Sequence, residues 1–399
     1  MSLQSLRVRN FKAVVDSKTV KLGPLTAFIG NNGAGKSSLI EALATYQAIV
    51  RDGLDMAMQR WLGIEHVRHK GQEAKERSGK VVNPIAWELA LGDSPRKVRR
   101  LSMTVNNDPA ANRMFIASER FTLPIGIWCD RDSTNQTVPY DSGRSLLALR
   151  LEAETLETRD EVLAWQFLTL SPERMGMPVP QQRTQGAVRL ASDGSNVADF
   201  LLDLRRQDVN AFNGIVETMA FVLPYAKDIQ PTLSSSEIER KAWLQLSEDT
   251  FKVPGWLLST GTLRMLALLA LLRHPTPPPL IVVEEIENGL DPRSIHLIVE
   301  EIRSAVLSGV TQVIVTTHSP YLLDLLTLDH LVVVERDAEG HPHFIRPADH
   351  ENLQAWAQEF APGRLYTMGN LSGLLRKPRG NKGLFEGRYT MGKRTGPLS

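Results

Sequence analysis

Residues 30–38, Gly-Asn-Asn-Gly-Ala-Gly-Lys-Ser-Ser, constrain this chain more than any other stretch. They follow the apolar run Leu25-Thr26-Ala27-Phe28-Ile29 and precede a helix-like segment, Ser38-Leu39-Ile40-Glu41-Ala42-Leu43-Ala44. Strand, glycine loop and helix in that order form the context in which a backbone wraps phosphate. Gly30, Gly33 and Gly35 allow a tight loop with its N–H groups turned inward, and Asn31, Asn32 and Ala34 complete it. The helix then starts at the phosphates, with its positive dipole end facing anionic oxygen. Lys36 brings a point charge to the β- and γ-phosphates, and the Ser37 hydroxyl, next to Ser38, can ligate Mg²⁺. The stretch therefore predicts an α/β sheet with a nucleotide at the carboxyl ends of its strands.

The second half carries segments that suit the same chemistry. Leu280-Ile-Val-Val-Glu-Glu285 reads as a buried parallel strand ending in two carboxylates. Glu284 can serve a Mg²⁺ shell, and Glu285 can orient and polarise an attacking water. Glu287-Asn288-Gly289-Leu290-Asp291-Pro292 reads as a turn and helix start. Val310–Thr317 is a β-branched strand that ends at His318, which can donate to a γ-phosphate. Leu258-Ser259-Thr260-Gly261 introduces an apolar helix and makes a second anion cradle. One nucleotide does not need two cradles within one chain, so the second is expected to serve a nucleotide held by another copy.

A net charge of +1 gives no whole-molecule field that would advertise nucleic acid. The single Cys129 excludes an intrachain disulfide and a cysteine-cluster zinc site, and it fits a reducing cytoplasmic setting. The first residues alternate like a strand and show no signal-peptide core, and no apolar run has the length of a membrane span.

In their order, these motifs resemble those of the ATP-binding-cassette ATPases. The resemblance is to the soluble branch with the SMC, RecF and OLD-type proteins, and within it to bacterial AAA-labelled ATPases. Leu3-Gln-Ser-Leu-Arg-Val-Arg-Asn-Phe-Lys12, Glu-Asn-Gly-Leu-Asp-Pro at 287–292 and Leu190–Phe200 add to the likeness. It implies an α/β fold: an ABC-type P-loop ATPase with a β-lobe and a mostly helical insertion between Walker A and the signature motif. It implies an enzyme that binds and hydrolyses ATP with Mg²⁺. Gly30 to Ser38 would hold phosphates and metal, Ser259 and Gly261 would act in trans, and Glu284 and Glu285 would be the Walker B acid and catalytic glutamate. Asp291 would be the D-loop residue and His318 the switch histidine. Arg9, Phe11 or Lys12 would lie near adenine or ribose, and Gln166 is a candidate Q-loop residue. Glu284 stands where Asp is usual, and Ile286 replaces a frequent proline. OLD nucleases carry a further Toprim domain, for which this chain shows neither room nor motif.

The sequence divides into an ATPase part (1–50), a β-rich lobe (51–143) and a mostly helical insertion (144–250). A second ATPase part (251–375) and a basic tail (376–399) follow. Roughly 200 residues between the P-loop helix and Leu258 exceed any ordinary connecting loop. Residues 81–92, 97–106 and 113–123 alternate like strands, and 331–335 with 343–346 suggest a terminal hairpin. Basic runs occur at His66–Lys70, with Lys75, Arg77 and Lys80, and at Arg96–Arg100, where strand alternation would send neighbouring side chains to opposite faces. His341, His343 and His350 are candidate metal ligands, but with no acidic or Cys partner at ligand spacing they fit a surface loop, and Tyr-Thr-Met-Gly occurs at 366–369 and 389–392. The expected activity is nucleotide-driven dimerisation that controls the grip on DNA or on a partner protein encoded nearby, in DNA repair or antiphage defence. The alternative is an ATPase sensor or scaffold that holds and releases a toxic effector. A transporter ATPase and an OLD-type nuclease fit less well, and no membrane partner is expected.

Overall fold

The computed structural model describes residues 2–70, 83–92, 97–108, 112–124, 126–132, 142–182, 186–234, 239–356, 359–368 and 371. The chain opens with β1 (Leu3–Phe11), β2 (Val14–Asp16), β3 (Val20–Lys21) and β4 (Leu25–Ile29). Past the helix Lys36–Asp52 come β5 (Ile85–Leu91), β6 (Arg99–Asp108), β7 (Arg113–Leu123) and β8 (Gly126–Asp132). A middle group follows: β9 (Gln166–Leu168), β10 (Val179–Pro180), β11 (Asp228–Leu233), β12 (Lys241–Ser247) and β13 (Lys252–Pro254). The last four are β14 (Leu280–Val283), β15 (Gln312–Thr317), β16 (Leu331–Arg336) and β17 (Pro342–Ile345).

The central sheet has the order β17-β16-β4-β15-β14-β9 and is parallel except for β17. Its inner strands β4, β14 and β15 are buried at every residue. Strands buried at every residue belong to a sheet covered on both faces. Successive side chains alternate between those faces. Ala27, Ile29, Ile281, Val283, Val313 and Val315 pack with the helix Thr260–Leu272, whose residues from Thr262 onward are all buried. Phe28, Leu280, Val282 and Ile314 pack on the other side with the P-loop helix and the lobe.

The lobe is an antiparallel sheet of seven strands, β2-β1-β5-β6-β7-β8 with β3 also on β1. Its inner face (Leu6, Val8, Trp87, Leu89, Leu101, Met103 and Phe121) closes over the P-loop helix, and Trp87 donates its indole N–H to the Ala42 carbonyl at 2.9 Å. A smaller antiparallel sheet joins β10, β12 and β11, with β13 also on β12.

One segment boundary changes. The lobe does not begin at residue 51, because β1, β2 and β3 pair into its sheet. The 144–250 segment holds helices at Leu146–Leu149, Ala153–Ala164, Pro172–Met175, Val197–Gln207 and Val209–Val222, interspersed with β9 to β12. β9 belongs to the central sheet, so the chain returns to the ATPase core in the middle of the insertion. β12 buries Ala242, Leu244 and Leu246 in strict alternation, a period of two beside the stronger helical period at 197–222. Lys75, Arg77, Lys80, Arg96, the tail from 372 and the second Tyr-Thr-Met-Gly lie outside the described residues.

Candidate nucleotide site

β4 ends at Ile29, and the loop that follows lies directly on its neighbour β16. A Cβ at Gly30 would sit 2.2 Å from the Val334 carbonyl oxygen, so only glycine fits that approach. Arg336, at the end of β16, donates its Nε and Nη2 to the Gly33 carbonyl at 2.8 and 2.6 Å. The β16–β17 hairpin thus clamps the outside of the loop. Lys36 is buried, and its ammonium curls back to donate to the carbonyls of Gly30 (2.7 Å) and Asn31 (3.2 Å). Burial lowers the Lys36 pKa, and the carboxylates of Glu285 and Glu287 oppose that shift. Asn31, Asn32, Gly33 and Ser37 are exposed, Ser38 is half-buried, and Ala34 and Gly35 are buried.

The parallel register brings the other sequence-selected groups to the same edge. Glu284 donates its backbone N–H to the Leu168 carbonyl at 3.0 Å, and its Oε1 accepts from the Thr169 hydroxyl at 3.4 Å. Glu285 is exposed and left-handed, with φ 48. A non-glycine residue held there carries strain on the order of 1 kcal/mol, tolerated where the surroundings fix it. Its N–H donates to the Thr316 hydroxyl at 2.8 Å, and its carbonyl accepts from Arg264 at 3.0 Å. Among the described residues, the Glu285 carboxylate accepts only a long contact from Asn288, at 3.4 Å. β15 runs between β4 and β14, so His318 stands between the P-loop and the acid pair. Burial lowers the His318 pKa, the Lys36 charge adds to this, and Glu287 and Glu285 oppose it.

Two residues at the centre were not singled out by sequence. Glu287 accepts the His318 backbone N–H at 2.6 Å, and its second oxygen is buried without a partner. Its charge acts on Lys36, Arg264 and His318 together. In sequence, a carboxylate in a turn is indistinguishable from a solvated one. Arg264, also buried, reaches the Leu170 carbonyl at 3.2 Å as well as that of Glu285. It ties the helix beginning at Thr260 to the exits of both β9 and β14.

Ser259 is exposed and caps that helix, accepting from the Thr262 N–H at 3.1 Å. A Cβ at Gly261 would lie 2.4 Å from the Gly289 carbonyl oxygen, which places the helix start against the 287–292 turn. Asp291 caps the next helix, accepting from the backbone of Arg293 (2.9 Å) and the hydroxyl of Ser294 (2.7 Å). The Ser294 hydroxyl holds its carboxyl below the usual range. Among the described residues, no hydrogen bond or ion pair joins Ser259, Gly261 or Asp291 to residues 30–38.

The expected placements of Gln166 and Phe11 need correction. Gln166 is buried and donates to the Leu190 carbonyl at 2.8 Å, opposite Ile281 at the far end of the strands from the loop. Phe11 is fully buried, edge-on to Trp61 and Trp87, and is a core residue. Arg9 pairs with Glu88, and Lys12 bonds Glu41 at 2.6 Å over the Trp61 ring. His343 bonds Asp337 at 2.8 Å, which supplies an acidic partner that spacing did not reveal. Among the described residues, no cluster of three or more His, Cys, Asp or Glu side chains could hold a metal.

Comparison with known proteins decides the family. The family described as "AAA domain, putative AbiEii toxin, Type IV TA system" matches residues 25–324, more than half of the chain. The chain belongs to this AAA-domain family. A second family, described as "AAA ATPase domain", matches residues 1–46. The AAA-domain protein is 33% identical over 176 residues to the Nod factor export ATP-binding protein I of Rhizobium etli, covering 42% of this chain and 50% of the relative. Its counterpart in Sinorhizobium fredii is 36% identical over 175 residues, covering 42% and 46%. The chain thus spans about half the length of the curated relatives it matches.

Among solved structures, an SMC head bound to the C-winged helix domain of ScpA superimposes with a TM-score of 0.52 at 15% identity, covering 86% of this chain and 98% of that one. An Smc head with an extended coiled coil, bound to the C-terminal domain of ScpA derived from Pyrococcus furiosus, gives 0.50 at 10% identity, covering 89% and 99%. At such identities the likeness is one of fold, that of an ABC-type P-loop ATPase. No helix among the described residues is long and apolar enough to cross a membrane.

Proposed function

We propose that ATP lies between two copies of the chain, with its phosphates on residues 30–38 of one and against Ser259 and Gly261 of the other. The observation that carries this reading is the exposed Ser259 helix start, formed in the single chain yet unconnected to the loop. Ser37 and Glu284 offer the hydroxyl and carboxylate oxygens that suit Mg²⁺, which when bound neutralises charge between the β- and γ-phosphates. Glu285 orients the attacking water in line with the γ-phosphorus, and its fixed backbone supports that task. His318 donates to the γ-phosphate. Glu287 holds the His318 backbone, and Asp291 holds the turn on which Gly261 rests.

Closure on ATP and reopening after hydrolysis would change the lobe's grip on DNA or on a partner protein encoded nearby, as repair and antiphage systems require. The description attached to the matching family favours a second reading, in which slow turnover holds and releases a toxic effector. The buried Cys129 is consistent with a cytoplasmic setting. Native mass measurement of the Glu285→Gln variant tests the shared pocket. A doubled mass with ATP and Mg²⁺, and not without, is expected; an unchanged mass in both conditions opposes the proposal.

A further inference from the structure

Arg99 and Arg100 do not share a face, because β6 sends neighbouring side chains to opposite sides. Arg99 is buried and bonds Thr158 and Glu157, each at 2.7 Å, whereas Arg100 is exposed on the outer face of the lobe. There the strand register assembles a different group. Lys21 lies opposite Ser5, Ser5 opposite Ala90, Ala90 opposite Arg100, and Arg100 opposite Thr122. This row crosses β3, β1, β5, β6 and β7 and contains no carboxylate. Lys21 and Arg100 form no ion pair or side-chain hydrogen bond among the described residues. They stand three strand spacings apart, about 14 Å.

The next row, Arg7-Glu88-Ser102-Arg120-Asp130, is internally paired: Arg9 and Arg7 reach Glu88, and Arg120 bonds Asp130 at 2.8 Å. Thr104 and Ser118 extend the hydroxyl lining. Together these residues border an open groove of about 730 Å³. Among the residues lining the groove, Arg7, Arg9, Arg100, Arg120 and Arg131 outweigh Glu88 and Asp130.

From this arrangement we propose that the outer face of the seven-stranded sheet binds the phosphate backbone of a nucleic-acid duplex, independently of sequence. Cations and hydroxyls at strand spacing are the groups that contact phosphate. A protein partner would need an apolar or aromatic anchor, and among the described residues lining the groove Trp87, Leu89 and Leu101 are buried. Among the described residues, the groove's lining presents no exposed aromatic side chain, so it lacks the stacking platform of single-strand binders. The inference specifies the lobe contact left open in the proposed function, but it rests on the lobe face and not on the shared ATP pocket.

The test is anisotropy titration of the full chain with a short, labelled, mixed-sequence duplex over a range of KCl. Wild type is expected to bind with a negative slope of log K against log salt. Lys21→Ala and Arg100→Ala should each make that slope shallower by about 0.9. The K21E/R100E double variant should lose at least tenfold in affinity at low salt, with ATP turnover in the absence of nucleic acid unchanged. Among the described residues neither position has an acidic partner, so the changes orphan no described carboxylate. The Lys36→Ala variant, without nucleotide, should still bind duplex, which separates failure of this surface from failure of the ATPase reading. Three results overturn the proposal: no duplex binding at low salt, duplex binding indifferent to K21E/R100E, or labelled poly-glutamate binding to this face more tightly than duplex.

Discussion

Glu285→Gln is expected to bind ATP as the wild type does and to hydrolyse it at least about a hundredfold more slowly, the lower end of what a positioned general base contributes. The amide has nearly the same volume and reach, and the contacts that fix residue 285 use its backbone: the N–H to Thr316 and the carbonyl to Arg264. The left-handed geometry and the fold should therefore survive, while the negative charge that polarises water disappears. Steady-state phosphate release measured beside nucleotide retention separates the two effects. Release at the wild-type rate would remove Glu285 from the chemistry and leave Glu287, whose second oxygen is buried and unpaired, as the next carboxylate to test.

Lys36→Ala should lower ATP affinity by at least tenfold and bring hydrolysis below detection. A hydrogen bond from a charged donor contributes about 1.5–3 kcal/mol, and a tenfold change in affinity corresponds to about 1.4 kcal/mol. The ammonium also spans the loop, bonding the Gly30 and Asn31 carbonyls, so its loss loosens the cradle as well as removing its charge. Alanine is a good helix former and should keep the first turn of the helix Lys36–Asp52 intact. Equilibrium binding of a fluorescent ATP analogue, with a thermal melt to confirm folding, measures the change.

The parts of this molecule that can be read from sequence are those whose chemistry is local. The 30–38 loop, the Leu280–Val283 strand with its acids and the β-branched strand before His318 each declare themselves within ten residues. The central sheet edge follows from them, because parallel strands present their carboxyl ends together. What escaped depends on contacts far apart in the chain. Glu287 matters through the backbone of His318 and the charge on Lys36, and Arg264 through carbonyls at 170 and 285. β9 has three residues, too few for any period to show, and it enters the sheet only because β14 leaves that edge open. Gln166 misled because residue type was matched without register, and Phe11 because its apolar alternation on β1 points it into the core. The row formed by Lys21, Ser5, Arg100 and Thr122 depends on pairings among five strands that no linear spacing encodes.

The central claim is that each copy supplies half of the other's pocket. Mixing the Lys36→Ala variant with a Ser259→Arg variant tests it most directly, since each is expected to be inactive alone. In a mixed pair, the Ser259→Arg copy keeps an intact loop and meets the intact Ser259 of its partner, so ATP turnover should reappear on mixing. If the mixture stays as silent as its components while native mass shows that mixed pairs form, the pocket is not shared between copies.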